Sequence, residues 1–356
     1  MKKKLENRKN NKSIIVSTLI FVITFIAMAG YLIYFNLTQA ESIINNSYNK
    51  RQGVLSRRTI RGSILSDDKT KLAVTNVDDD GNETRYYPYS GLFSHTIGYL
   101  NNGGYGLESL YGYYMLHSNQ NFFEQIGNDL SGNRNTGDNV VTTLNVGLQK
   151  ACYDALGSNR GAVIVMEPST GKILAMVSKP DFDPNTLAAN WSQITGEGSD
   201  SVLVNRATQG LYPPGSTFKL ITMLEYLREH KNDYGQYHYI CDGTYELGNN
   251  TINCVRTTAH GDVDLFSSLA VSCNCSFINI GLSLDLDRYK KTAEKMLFNK
   301  ELPTNLEYNK SRFVLNGESS EWDIAQTSFG QGKTVITPFH LALITCTIAN
   351  NGTLMK

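Results

Sequence analysis

Hydrophobic and polar positions divide the chain into three regimes. From Ile14 to Phe35 it reads IIVSTLIFVITFIAMAGYLIYF, and no charged residue stands between Lys12 and Glu41. As a single helix those 22 residues rise about 33 Å, enough to cross the hydrocarbon core of a bilayer. From Glu41 to about Gly157, short apolar runs such as GSIL and NVVTTLNV interrupt Tyr-, Asn- and Gly-rich sequence, the pattern of mixed helices and strands with long loops. At Gly161 the pattern changes. GAVIVMEPSTGKILAMVS holds two β-branched apolar runs, 162–166 and 172–177, around a Pro-Ser-Thr-Gly turn, which predicts a hairpin. Helical periodicity then predicts helices over 216–230, 265–284 and 338–349. A hairpin followed by many helices, with no internal repeat, predicts an α+β fold.

Charge orients the first segment. Lys2, Lys3, Lys4, Arg8, Lys9 and Lys12 all precede the apolar run, so the positive-inside rule places residues 1–12 in the cytoplasm, a transmembrane helix at 13–36 and the body outside the cell membrane. Ala27-Met28-Ala29 resembles a signal-peptidase site, but the apolar run continues well past it, which favours a single-pass anchor. Charge is otherwise balanced, with 33 Lys+Arg against 33 Asp+Glu and no basic stripe, so nucleic acid is not an expected partner. Six cysteines form neither a disulfide scaffold nor a recognisable zinc pattern. Cys241, Cys254 and the Cys273-x-Cys275 pair offer four thiols, but their spacing matches no common zinc module. A Cys241–Cys254 bridge stays open, and no metal or cofactor is expected.

The candidate chemistry begins at Pro213-Pro214-Gly215-Ser216, a turn that delivers a serine to a helix start with Lys219 one turn on. Residues i and i+3 share a helix face, so a hydroxyl and an amine come within reach of each other. A serine becomes a nucleophile when a base takes its proton, and a desolvated lysine is such a base. Helix-start N–H groups can also stabilise an adjacent oxyanion. The bare S-x-x-K spacing recurs at Ser47/Lys50, Ser66/Lys69 and Ser169/Lys172, in stretches that read as solvated surface. A helix-starting serine is equally often an N-cap, so both readings of Ser216 stand on this stretch alone. Ser272-Cys273-Asn274, buried in the apolar run SSLAVSCNCSFINIGLSL, shifts the balance, since a hydroxyl and a carboxamide there need partners or line a site.

Together these residues resemble the penicillin-recognising serine transferases, in which S-x-x-K, S-x-N and K-[ST]-G motifs line one cleft. More specifically the chain resembles a class B penicillin-binding protein. RRTIRGSILSDD is similar to the family's R-G-x-I segment, with Ser66 where an acidic residue is usual, and HTIGYLNNGGYGLESLY, VLVNRATQGLYPPGSTFK, CDGTYELGNNTINCVRTTAHGDVDLFSSLAVSCNCSF and AQTSFGQGKTVITPFHLALITCTIANNG follow in the family's order. The resemblance implies a pedestal domain over 37–157 and a transpeptidase domain of antiparallel sheet and helices over 158–356. It also implies a peptidoglycan D,D-transpeptidase with Ser216 as nucleophile, Lys219 as its base, Ser272 as proton relay and Asn274 as a substrate-binding and Lys219-holding group. Stem peptides ending in D-Ala-D-Ala, β-lactams and a SEDS-type membrane glycosyltransferase are the implied partners. No Lys-Ser-Gly, Lys-Thr-Gly or His-Thr-Gly occurs in the 356 residues, and Lys333-Thr334 is followed by Val. A C-terminally truncated transpeptidase domain, incomplete at one edge and lacking the strand that closes one side of the cleft and supplies an oxyanion-hole donor, is therefore expected. A class D-like β-lactamase or sensor and a non-catalytic cell-wall scaffold are the alternatives. The absence of a G-x-S-x-G elbow argues against an α/β-hydrolase. His260-Gly261, Gly330-Gln331-Gly332, Trp191 and Trp322 read as turns or core packing.

Overall fold

A computed structural model describes residues 2–38, 55–119, 121–196 and 199–355. The first helix, α1 (Lys2–Thr38), carries the apolar run Ile14–Phe35, whose large side chains are exposed along its length. Its threonines add no unsatisfied polar group, because the hydroxyls of Thr18 and Thr24 donate to the carbonyls of Ile14 and Ile20. A helix apolar all round with its hydroxyls satisfied internally suits lipid.

The domain that follows is built on a four-stranded sheet. Its strands β2 (Ile64–Leu65), β3 (Lys71–Val77), β4 (Glu83–Tyr86) and β6 (Val140–Val141) lie in the order β4-β3-β2-β6, while β1 (Thr59–Ile60) pairs with β5 (Asn135–Thr136). Ile64, Leu72, Phe93, Ile97 and Met115 fill the core beneath it. The Arg61-Gly62 pair has a physical explanation here. The buried Arg61 guanidinium reaches Glu108 at 3.0 Å, and Arg85 reaches the other Glu108 oxygen at 2.7 Å. Gly62 sits so close to the chain opposite that a Cβ would stand 1.9 Å from the Asp138 carbonyl oxygen. Ser66 departs from expectation. It is fully buried, its hydroxyl donating to Asp68 at 2.6 Å inside a tight turn, although its S-x-x-K partner Lys69 is exposed. Ser169 and Lys172 are exposed in the hairpin turn, and Ser47/Lys50 lies outside the described residues.

The second domain starts with the expected hairpin, β7 (Gly161–Met166) and β8 (Ile173–Lys179), paired antiparallel from Gly161↔Lys179 to Met166↔Ile173. Helix α2 (Val146–Leu156) and the apolar C-terminal helix pack against it, the latter spanning Pro338–Ala349 as the periodicity predicts. Beside this sheet a helical body surrounds α3 (Lys219–Glu229), with Phe218, Phe277, Tyr289, Phe298 and Phe313 at its centre. Phe218 meets Phe298 edge-on at 5.5 Å and stacks on Phe313 at 6.0 Å, fixing the start of α3 in the core.

The single helix predicted over 265–284 is two helices, α4 (Leu265–Ala270) and α5 (Asn274–Ser283). The break has two causes. Ser272 adopts a left-handed φ of 54°, and the Cys273 side chain caps the new helix by accepting from the Ser276 N–H. Two small β pairs lie next to this break: β9 (His238–Cys241) with β12 (Gly261–Asp264), and the hairpin β10 (Thr244–Leu247) with β11 (Asn250–Asn253).

Candidate active site

Ser216 lies in a 3₁₀ turn, Gly215–Phe218, that leads directly into α3. The turn is held from outside. Gly215 has φ 60°, its N–H donates to the Gly330 carbonyl at 2.8 Å, and Gly330 itself sits at φ 84°. A Cβ at 330 would stand 1.8 Å from the Gly215 carbonyl oxygen, so only glycine permits this approach. Gly330 is thus more than a loose turn. It buttresses the turn that carries Ser216, a contact its sequence context left unassigned.

The N-cap alternative for Ser216 does not match the geometry, since neither the 3₁₀ turn nor α3 has a side-chain cap and Thr217 donates back to Pro214 instead. The Ser216 side chain is exposed, while Lys219 is fully buried. The Lys219 Nζ lies 3.3 Å from Ser216 Oγ, 2.9 Å from Ser272 Oγ, 2.7 Å from the Ser272 carbonyl and 2.7 Å from Asn274 Oδ1. Asn274 is oriented for this contact because its Nδ2 donates to the Asn253 carbonyl at 2.9 Å. All four residues singled out in the sequence therefore meet around one amine. The 271–273 break in the predicted helix is what turns Ser272 and Asn274 towards it.

Among the described residues no carboxylate is a partner of Lys219. Burial lowers its pKa to about 8, with the nearby Cys273, Cys254 and Cys275 sulphurs acting in the opposite direction. Nζ donates towards the Ser272 carbonyl, Asn274 Oδ1 and the two serine hydroxyls. When the amine is neutral, two N–H bonds can stay with the carbonyl and the amide oxygen, which can only accept, and the lone pair can turn to the Ser216 hydroxyl proton. Such an amine can take a proton from a serine that faces solvent, and Ser272 Oγ, also in contact with it, can pass one on.

Five further groups converge behind this site. Cys241, Cys254, Cys273 and Cys275 form a buried thiol cluster, joined by His260, whose Nδ1 lies 3.5 Å from Cys241 Sγ. All six cysteines are free, and Cys241 and Cys254 remain 3.8 Å apart rather than bridged. The bland reading of His260-Gly261 as a turn therefore misses a contact that sequence separation conceals. Trp191 and Trp322 do sit in packing contacts, with Tyr99 and with the Ile252, Ile278 and Ala325 cluster respectively.

A serine and a buried lysine at the head of a helix, with a second serine and an asparagine on the same amine, bring together the groups that acyl transfer to a serine uses. Comparison with known proteins agrees. Residues 161–356 match the penicillin binding protein transpeptidase domain, and residues 61–140 match the penicillin binding protein A dimerisation domain. The chain belongs to the class B penicillin-binding proteins. It is 31% identical over 297 residues to the peptidoglycan D,D-transpeptidase PbpA of Mycolicibacterium smegmatis, covering 77% of this chain and 58% of that one. It is 34% identical over 254 residues to PbpA of Mycobacterium tuberculosis, covering 66% and 51%. It thus spans about half the length of the curated relatives it matches. Among solved structures, penicillin-binding protein A from M. tuberculosis as an imipenem acyl-enzyme complex superposes with a TM-score of 0.75 at 28% identity, over 84% of this chain and 72% of that one.

Proposed function

We propose that the protein is a peptidoglycan D,D-transpeptidase that works through an acyl-enzyme on Ser216. Lys219 takes the Ser216 hydroxyl proton as Oγ attacks the penultimate D-Ala carbonyl of a stem pentapeptide. The C–N bond to the terminal D-Ala breaks, and Ser272 Oγ relays the proton to the departing amine. The amine of a neighbouring stem then attacks the acyl-enzyme, gives up its proton along the reverse route and forms the cross-link, freeing Ser216. Asn274 holds Lys219 and the donor peptide backbone. The observation that carries this reading is the buried Lys219 amine in contact with Ser216, Ser272 and Asn274 together.

A β-lactam is attacked at its ring carbonyl by the same oxygen, leaving Ser216 acylated. The apolar helix α1 fits a single-pass membrane anchor. We place its Lys-rich start in the cytoplasm and the catalytic body outside, with a SEDS-type glycosyltransferase against the exposed face of α1. The test is D-Ala release from a stem-peptide donor in the presence of an acceptor amine. D-Ala and acceptor-linked product in equal amounts, both absent in Ser216→Ala, support transfer. Rapid turnover of a penicillin with no acceptor-linked product would point to a β-lactamase instead, and neither activity would point to a scaffold.

A further inference from the structure

We propose that the cavity between the two domains, walled by Tyr105 and Ser109 on one side and by Thr208, Asn305 and Glu307 on the other, binds an uncharged sugar unit. It measures about 500 Å³, within the range of about 300–1,000 Å³ typical of small-molecule sites. Thr208 lines it yet is only 1% exposed. The backbone of Thr208 is satisfied, its N–H donating to the Asn205 carbonyl at 3.2 Å and its carbonyl accepting from the Asn309 N–H at 3.0 Å. Its hydroxyl has no hydrogen-bond partner among the described residues. The Tyr105 hydroxyl faces it across the cavity without closing a hydrogen bond. A buried hydroxyl left unpaired is costly, and valine would fill the same space without that cost. The threonine is explained if a guest supplies the missing partner.

The lining selects the guest. No Lys or Arg borders the cavity, and burial lowers the His95 pKa to about 4, which leaves its ring neutral. An anion such as a phosphate or carboxylate would therefore meet no counter-charge. The hydroxyls of Tyr105, Ser109 and Thr208 and the carboxamide of Asn305 can each donate and accept, while Glu307 accepts only. Burial pushes the Tyr105 pKa up to about 12, so that hydroxyl keeps its proton as a donor. Tyr105 is also stacked on Tyr99 at 6.0 Å, which fixes its ring before any guest arrives. A sugar offers the complementary set: hydroxyls that donate and accept, around a C–H face that packs on apolar side chains, here Leu110, Met176 and Leu306. The particular guest, an N-acetylhexosamine unit of a glycan strand, rests on the peptidoglycan reading above. Such a strand would be held at the domain junction while its stem peptides react at Ser216.

The test titrates N,N′-diacetylchitobiose into the full chain in detergent at pH 6 and follows binding by saturation-transfer NMR. The deacetylated diamine, a cation at that pH, is the comparison for a guest drawn to Glu307 by charge alone. The site predicts saturable binding of the diacetyl sugar in the millimolar range or tighter, weakened about two- to tenfold in Thr208→Val and in Ser109→Ala. The thermal midpoint of Thr208→Val should equal or exceed that of the unaltered chain, since the hydroxyl it removes has no protein partner; should that variant fail to fold, Ser109→Ala carries the test. No saturable binding, binding unchanged in both folded variants, or preference for the diamine overturns the proposal. Penicillin labelling of Ser216 in the same samples reads the transpeptidase site separately, so labelling without sugar binding strikes this proposal alone.

Discussion

The buried Lys219 amine makes a prediction that pH alone tests. If its neutral form is the base for Ser216, the acylation rate follows the neutral fraction. With a pKa of about 8, that fraction grows about 50-fold from pH 6 to 8 and only about twofold from pH 8 to 10. A lysine at its ordinary value, about 10.4, would give about 100-fold and then about 70-fold over the same intervals. The assay is the second-order rate of labelling by a fluorescent penicillin, quenched at several times at each pH, with enzyme integrity checked by circular dichroism. The expected curve rises with unit slope on logarithmic axes, bends near pH 8 and is flat by pH 10. Stability gives an independent check on the sign. A lysine whose folded pKa lies below its unfolded value takes up a proton on unfolding, so stability should rise with pH from about 8 to 10.5. A rate that keeps climbing with unit slope beyond pH 10, or that is flat from pH 6 to 8, would refute the neutral-lysine mechanism.

Lys219→Arg keeps the cation but cannot supply a neutral amine, so acylation should fall about 10²–10⁴-fold, measured by the same labelling assay. Gly330→Ala puts a methyl 1.8 Å from the Gly215 carbonyl at a positive φ; displacement of the Ser216 turn should slow acylation by up to about 10²-fold and lower the thermal midpoint. Glu108→Gln leaves Arg61 and Arg85 buried without a counter-charge. Chemical denaturation should show a loss of about 3–5 kcal/mol in the domain that holds them, with acylation per folded molecule unchanged.

What the sequence disclosed depended on how local each signal was. The apolar first helix and the 161–179 hairpin are written in contiguous runs, and their structure follows the pattern closely. Ser216 and Lys219 were legible for the same reason, being one turn apart behind a Pro-Pro-Gly entry. The break at Ser272 was not, because it depends on a left-handed residue and a cysteine cap that hydrophobic periodicity does not register. Glu108 looked like one acidic residue among many until the fold brought Arg61 and Arg85 to it from 47 and 23 positions away. Ser66 read as solvated because its neighbours are acidic, yet the turn folds its hydroxyl inward onto Asp68. The cysteines show the limit most clearly. Cys241, Cys254, Cys273, Cys275 and His260 arrive on separate strands and loops, so only the folded chain reveals that they meet. Gly330 likewise became meaningful once Gly215 was seen against it.

The most direct test of the account is intact mass after incubation of the gene product with a penicillin, followed by peptide mapping of any adduct. The account predicts a single adduct equal to the intact drug, located on Ser216 and absent from Ser216→Ala. A folded protein that gains no mass, or one that carries the adduct on another residue, would contradict it.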